Sequence, residues 1–71
     1  MNYVFTITDK YLEKLIEYYK RIMVNSDNST HKYLFKSDTL TITVYNSLKV
    51  MFQGEDALEE YNKWALALNL E

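Results

Sequence analysis

The chain has 71 residues, with no cysteine, no proline and one glycine. Without cysteine it has no disulfides or thiolate metal sites, and this composition fits the cytoplasm. A formal charge of −2 argues against strong nonspecific attraction to nucleic acid. No apolar run approaches the ~18 residues of a membrane span. With 48% apolar residues, we expect one domain with a modest core and no membrane partner.

The first part of the chain predicts a strand followed by a helix. Residues 2–8 alternate with period two, which places Tyr3, Phe5 and Ile7 on one side. Thr8 or Asp9 then caps a helix that is predicted to run to residue 24. Its apolar stripe is Leu12, Leu15, Ile16, Tyr19, Ile22 and Met23. A polar loop over residues 25–30 is the segment that we expect to be mobile.

Residues 32–36 predict a second strand, with Tyr33 and Phe35 pointing inward. A two-residue turn at 37–38 would pair Phe35 with Leu40 and keep the apolar faces in register.

A hairpin follows, and its two strands fix the length of its loop. Residues 39–45 place Ile42 and Val44 on one face, and residues 49–53 do the same with Val50 and Phe52. Only a loop with an odd number of residues joins these faces, so we predict a three-residue loop over 46–48. Its last residue is Leu48, which predicts a positive φ or a widened loop, with about 1–2 kcal/mol of strain in the left-handed region.

A second helix is predicted over residues 56–68. Its buried stripe is Ala57, Leu58, Tyr61, Trp64, Ala65 and Leu68. The order β-α-β-β-β-α predicts an α+β fold, in which two helices cover the apolar face of a curved antiparallel sheet and the other face stays open.

The predicted open face is basic and rich in hydroxyl groups. It has three lysines and no carboxylate, in a chain with ten acidic residues. Lysines neutralise phosphates, and threonine, glutamine and tyrosine donate hydrogen bonds to phosphate or ribose oxygens. The alternative is that lysine and threonine are ordinary residues of an exposed sheet face. The predicted face comprises Val4, Thr6, Thr8, Lys32, Leu34, Lys36, Thr39, Thr41, Thr43, Tyr45, Lys49, Met51 and Gln53.

Candidate catalytic or metal-binding groups are few. His31 is the one histidine and has no second candidate ligand nearby, so we interpret it as a surface residue. Glu59 and Glu60 diverge on a helix and complement its dipole. The sequence contains no nucleophile–base pair, phosphate loop or metal-ligand spacing, so we predict no enzyme activity, cofactor or metal for this chain alone.

The predicted hairpin reads Thr41-Ile-Thr-Val-Tyr45-Asn-Ser47-Leu-Lys49-Val-Met-Phe52-Gln53-Gly54. Together with the acidic helix after it, this segment resembles the N-terminal domain of bacterial ribonuclease HIII. The opening Tyr3-Val-Phe-Thr and the first helix extend the resemblance over nearly the whole chain. The resemblance implies a fold like half of the TATA-binding protein. It also implies a noncatalytic module that holds RNA/DNA hybrid for a separate ribonuclease H catalytic domain, which uses Mg²⁺ or Mn²⁺. The family's turn glycine is Leu48 here.

By position, Lys49 and Gln53 match the motif residues that would face the duplex. Thr41, Thr43 and Tyr45 lie beside them on the predicted face. Lys32 and Lys36 are assigned to this face by strand alternation alone. We predict one substrate-binding domain over residues 1–69, with residues 70–71 as a candidate vector-derived tail. The alternative is a protein–protein interaction module that uses the open sheet face or an edge strand.

Overall fold

A computed structural model describes residues 2–25 and 29–69. In chain order the elements are strand β1 (Asn2–Thr6), helix α1 (Asp9–Tyr19), a short 3₁₀ helix (Lys20–Ile22), strands β2 (Met23–Val24), β3 (His31–Lys36), β4 (Thr41–Tyr45) and β5 (Lys49–Gln53), and helix α2 (Ala57–Asn69). The strands form one antiparallel sheet in the order β1-β5-β4-β3-β2. The predicted α+β architecture is confirmed, with one strand more than expected.

Both helices pack on the same face of the sheet. The Tyr61 ring of α2 lies 5.5 Å from the ring of Tyr3 and 5.7 Å from that of Phe5, measured between centroids. Toward the opposite end of the strand order, on the same face, the Tyr19 ring of α1 lies 6.1 Å from the ring of Phe35 on β3. The core lies between these layers, and its buried residues are Ile7, Leu12, Leu15, Tyr19, Phe35, Leu40, Ile42, Val44, Val50, Phe52, Ala57 and Trp64.

The predicted hairpin is confirmed. Ile42 lies opposite Phe52 and Val44 lies opposite Val50, as a three-residue loop requires. Leu48 has a φ of 69°, in the left-handed region that the register argument predicted. Its N–H donates to the carbonyl of Tyr45 at 2.9 Å, and its carbonyl accepts from the N–H of Ile7 at 2.8 Å. These two bonds hold the tip in place despite the unfavourable φ.

The predicted register between β3 and β4 is wrong. Phe35 lies opposite Ile42 instead of Leu40, because residues 37–40 form the connection and Thr39 leaves the sheet. The Thr39 hydroxyl donates to Oδ2 of Asp56 at 2.6 Å, and its carbonyl accepts from the Asp56 N–H at 3.1 Å. The register differs from the prediction by two residues, so the paired side chains of residues 33–36 and 41–44 keep their predicted faces, while Thr39 is tied to the start of α2.

The predicted end of the first helix is also wrong. Helix α1 ends at Tyr19, and Met23 and Val24 pair with Phe35 and Leu34 as β2. Pairing with the edge of β3 outweighs the helical periodicity, because strand bonds satisfy backbone groups that β3 would otherwise leave free. Consequently Met23 is 38% exposed, not buried.

Smaller differences concern ends and surfaces. Leu58 was assigned to the buried stripe of α2 but is 49% exposed, because α2 turns Ala57 and Trp64 toward the sheet instead. Strand β1 ends at Thr6 instead of residue 8. Residues 26–28 of the predicted mobile loop and the predicted tail at 70–71 lie outside the described residues.

Candidate nucleic-acid interface

Residues that pair directly across the sheet form a row of side chains over its open face. Val24 pairs with Leu34, Leu34 with Thr43, Thr43 with Met51, and Met51 with Val4. We call these five residues the apolar row. Its two ends are exposed, at 47% for Val4 and 39% for Val24, while Leu34 and Met51 are half-buried.

A polar row lies on one side of the apolar row. Asn2 pairs with Gln53, Gln53 with Thr41, and Thr41 with Lys36. The Gln53 side-chain Nε2 donates to Oδ1 of Asn2 at 3.2 Å, which orients the amide along the surface. Lys36 is exposed at the β3 end of this row.

The opposite side of the apolar row, toward the hairpin tip, is polar and basic. Thr6 pairs with Lys49, and His31 pairs with Tyr45. The His31 and Tyr45 rings meet edge-on, with centroids 6.3 Å apart and planes at 82°. Lys32 is exposed at a register irregularity between His31 and Tyr33.

The structure brings most of the predicted interface residues onto one surface. Lys49 and Gln53 alternate with Met51 along β5, and Thr41 and Tyr45 flank Thr43 along β4. They therefore share the open face.

Thr43 is on this face but only 6% exposed, because Leu34 and Met51 stand on either side of it. Thr8 and Thr39 were assigned to the face and do not belong to it. Thr8 caps α1 by accepting from the Tyr11 N–H at 3.3 Å, and Thr39 holds Asp56.

Charge is distributed unequally between the two sides of the molecule. None of the open-face residues within 2–25 and 29–69 is an aspartate or glutamate. On the helix side, by contrast, acidic and basic groups pair with each other: Lys20 lies 2.8 Å from Glu17, and Lys63 lies 3.1 Å from Glu60. The net-acidic chain therefore presents one basic surface.

A hydrogen-bonded cluster joins the two helices behind the sheet. The Tyr19 hydroxyl donates to Oε1 of Glu60 at 2.5 Å and accepts from Nε1 of Trp64 at 2.8 Å. Burial, assisted by the bond to Glu60, raises the pKa of Tyr19. Lys63 donates to the Tyr18 hydroxyl at 2.8 Å, and this bond raises the pKa of Lys63. These polar groups satisfy each other, so they have a structural role.

Two further features bear on the class of protein. Within the described part of the chain, no three His, Cys, Asp or Glu side chains gather in a way that could hold a metal ion. Neither helix in residues 2–25 and 29–69 is long and apolar enough to cross a membrane.

The fold and surface together define a small α+β domain, in which two helices cover one face of a sheet and the other face is open and basic. Residues 2–70 match the family model described as "Domain of unknown function (DUF3378)", and the chain belongs to this family. The chain is 35% identical to ribonuclease HIII of Enterococcus faecalis (strain ATCC 700802 / V583) over 63 residues, which are 89% of this chain and 21% of that protein.

Solved structures give the same relationship. A crystal structure of a mutant of Bst-RNase HIII superposes with a TM-score of 0.79 at 29% identity, and one of Bst-RNase HIII in complex with Mn²⁺ gives 0.77 at 33% identity. Each match covers 90% of this chain and 21% of that chain. The chain is thus homologous to a part of ribonuclease HIII, consistent with its N-terminal domain, and spans about one fifth of the length of these relatives. The resemblance predicted from the hairpin is confirmed.

Sequence reasoning missed three residues of this surface. Val24 was assigned to a helix, so its place in the apolar row could not be seen. His31 reaches the face through the irregularity before Tyr33, which alternation does not predict. Asn2 lies on the predicted side of β1, and its spacing from Val4 and Thr6 was the signal that could have identified it.

Proposed function

We propose that the open sheet face binds the backbone of an RNA/DNA hybrid duplex and acts as the substrate-binding module of a ribonuclease H. The observation that carries the proposal is that Lys36 and Lys49 lie on one uncovered face without carboxylates, with Lys32 exposed at the irregularity of β3, in a chain with a net charge of −2. Homology to part of ribonuclease HIII supports the same role.

The surface suits contacts with backbone better than base reading. Lysines neutralise phosphates, while the Gln53 amide and the hydroxyls of Thr41 and Tyr45 reach phosphate or sugar oxygens. A five-stranded sheet is too broad to enter a deep, narrow groove, and A-form helices are recognised mainly by shape and by 2′-hydroxyls. Binding should therefore depend on duplex geometry and little on sequence.

We assign no catalytic step to this chain. The parent enzyme would be a ribonuclease H that cuts the RNA strand in a separate domain, and the Mn²⁺ of the related crystal structure belongs to that protein. The two-metal reaction uses carboxylate ligands, and among residues 2–25 and 29–69 no aspartate or glutamate lies on the open face. The domain limits 1–69 and the cytoplasmic location stay predictions.

The salt dependence of binding tests the proposal. We expect the 71-residue chain to bind a labelled RNA/DNA hybrid with a slope of about −3 in a plot of log K against log salt, because about three lysines displace counterions. Fluorescence anisotropy over a series of salt concentrations measures this slope. Binding that is insensitive to salt, or none at millimolar protein, would instead favour the protein-interaction alternative.

A pair of lysine variants locates the surface. Lys49→Ala should weaken binding to hybrids of every sequence and reduce the magnitude of the salt slope by about 1. Lys14→Ala is the matched control, since it removes the same charge from the exposed side of α1. Equal effects of the two substitutions would reject the proposed face.

A further inference from the structure

The apolar row is continuous across the sheet and lies between the two polar sides of the open face. Single exposed apolar residues are common and need no explanation. Here, however, four apolar side chains and the buried Thr43 follow each other through direct pairing over all five strands. A face that only had to contact phosphates would not need such a row.

Strand geometry gives the dimensions of this surface. Side chains on one face recur every second residue, so neighbouring rows lie about 7 Å apart and the rows that contain Lys49 and Lys36 lie about 14 Å apart. Five strands spaced about 4.8 Å apart make the apolar row about 19 Å long. A bound duplex must therefore offer a broad shallow surface between two lines of phosphates.

B-form and A-form duplexes differ in the width and depth of the minor groove. The minor groove of B-form DNA is about 6 Å wide and about 7.5 Å deep, which is too narrow for a sheet surface unless the DNA is deformed. The minor groove of an A-form helix is wide and shallow and exposes its sugars. Leu34 and Met51 are half-buried in the sheet surface, so they can touch sugars in a shallow groove and not the floor of a deep one.

We propose that the apolar row selects duplexes by the width of the minor groove, with Leu34 and Met51 contacting ribose surfaces while the lysines on both sides contact phosphates. This inference rests on the proposed function and adds the residues that determine its specificity. The lysines provide affinity for any duplex, and the apolar row favours A-form-like duplexes over B-form DNA.

The test compares duplexes of equal charge and sequence. Labelled RNA/DNA hybrid bound to the 71-residue chain is displaced by unlabelled hybrid or by unlabelled DNA duplex, which gives the preference for hybrid. The double variant Leu34→Ala/Met51→Ala should lower this preference by about tenfold, the effect of losing two modest apolar contacts, and leave the salt slope at about −3. Leu66→Ala, on an α2 leucine that is 63% exposed, is the control and should change neither quantity.

The outcomes separate the two proposals. If the wild-type chain binds hybrid with the expected slope but the double variant keeps the wild-type preference, the apolar row does not select and the proposed function stands. If the wild-type chain shows no salt-dependent binding of any duplex, both proposals fail. Thermal unfolding checks that the double variant is folded. If it is not, Met51→Gln takes its place, since glutamine has nearly the shape of methionine but is polar, and an unchanged preference again overturns the inference.

Discussion

The two faces of one sheet differ in burial and composition, although the same strands build both. Along β4 and β5, Ile42, Val44, Val50 and Phe52 are fully buried beneath the helices. The residues between them carry hydroxyl, amide and ammonium groups to the open side. Because side chains alternate along a strand, the buried core and the proposed binding surface are encoded in interleaved positions of the same short sequence.

The polar groups of the two sides differ in a second way. On the helix side, Glu60 is bonded to Tyr19 and Lys63, so its charge is used within the fold. Within residues 2–25 and 29–69, none of Lys32, Lys36 and Lys49 forms an ion pair with a carboxylate. Changes on the helix side should therefore alter the free energy of unfolding, and changes on the open side should alter binding.

The largest effect on stability is expected at the junction between β5 and α2. Gly54 has a φ of 110°, and a Cβ there would lie 2.4 Å from the carbonyl oxygen of Thr39. Gly54→Ala should lower the free energy of unfolding by about 3 kcal/mol, through backbone strain and steric overlap. Urea denaturation measures this change.

The neighbouring Gln53, on the open face, provides the contrast. Gln53→Ala should change the free energy of unfolding by no more than about 0.5 kcal/mol, as is usual for surface substitutions. If both substitutions destabilised the chain equally, the separation between the two faces would be incorrect.

A smaller loss is expected in the cluster between the helices. Tyr19→Phe removes the partner of the buried Trp64 N–H and of Glu60, and should cost about 1–3 kcal/mol. Tyr18→Phe is the control, because the Tyr18 side chain is exposed and only its bond with Lys63 is lost. Urea denaturation at neutral pH compares the two, and hybrid binding by the folded Tyr19→Phe variant should equal that of the wild type.

The alkaline stability of the chain checks the same cluster. The pKa of Tyr19 is raised in the folded state by burial, while an unfolded tyrosine ionises near pH ~10. The stabilising contribution is therefore complete below pH ~10 and is lost as the pH rises above it. The stability of Tyr19→Phe should fall less steeply than that of the wild type in this range. Lys63, whose pKa is also raised, is present in both proteins. If the stability of the two proteins fell equally steeply with pH, Tyr19 would not be the group that causes the alkaline loss of stability.

The sequence predicted the parts of the fold that alternation determines. The hairpin register followed from matching Val44 with Val50, and the left-handed Leu48 followed from the length of the loop. Strand β2 could not be predicted, because its two residues continue the helical pattern of α1 and only pairing with β3 gives them another conformation.

The candidate site was predictable to a similar extent. Lys49 and Gln53 were assigned to the open face by alternation alone, and their pairing with Thr6 and Asn2 agrees with that assignment. The apolar row depends on register between strands that are distant in sequence, such as Val24 beside Leu34. A single sequence gives no direct signal for such pairs.

A small effect is also expected at Leu48, in the loop at the tip of the hairpin. Leu48→Gly removes about 1–2 kcal/mol of left-handed strain but also loses a half-buried side chain that packs against the core. These terms nearly cancel, so the free energy of unfolding should change by less than about 1 kcal/mol. Leu48→Val keeps most of the apolar volume and places a β-branched residue at positive φ, so it should destabilise the chain more than glycine does. Urea denaturation of the two variants measures the difference, and a valine variant as stable as the glycine variant would show that strain at Leu48 is negligible.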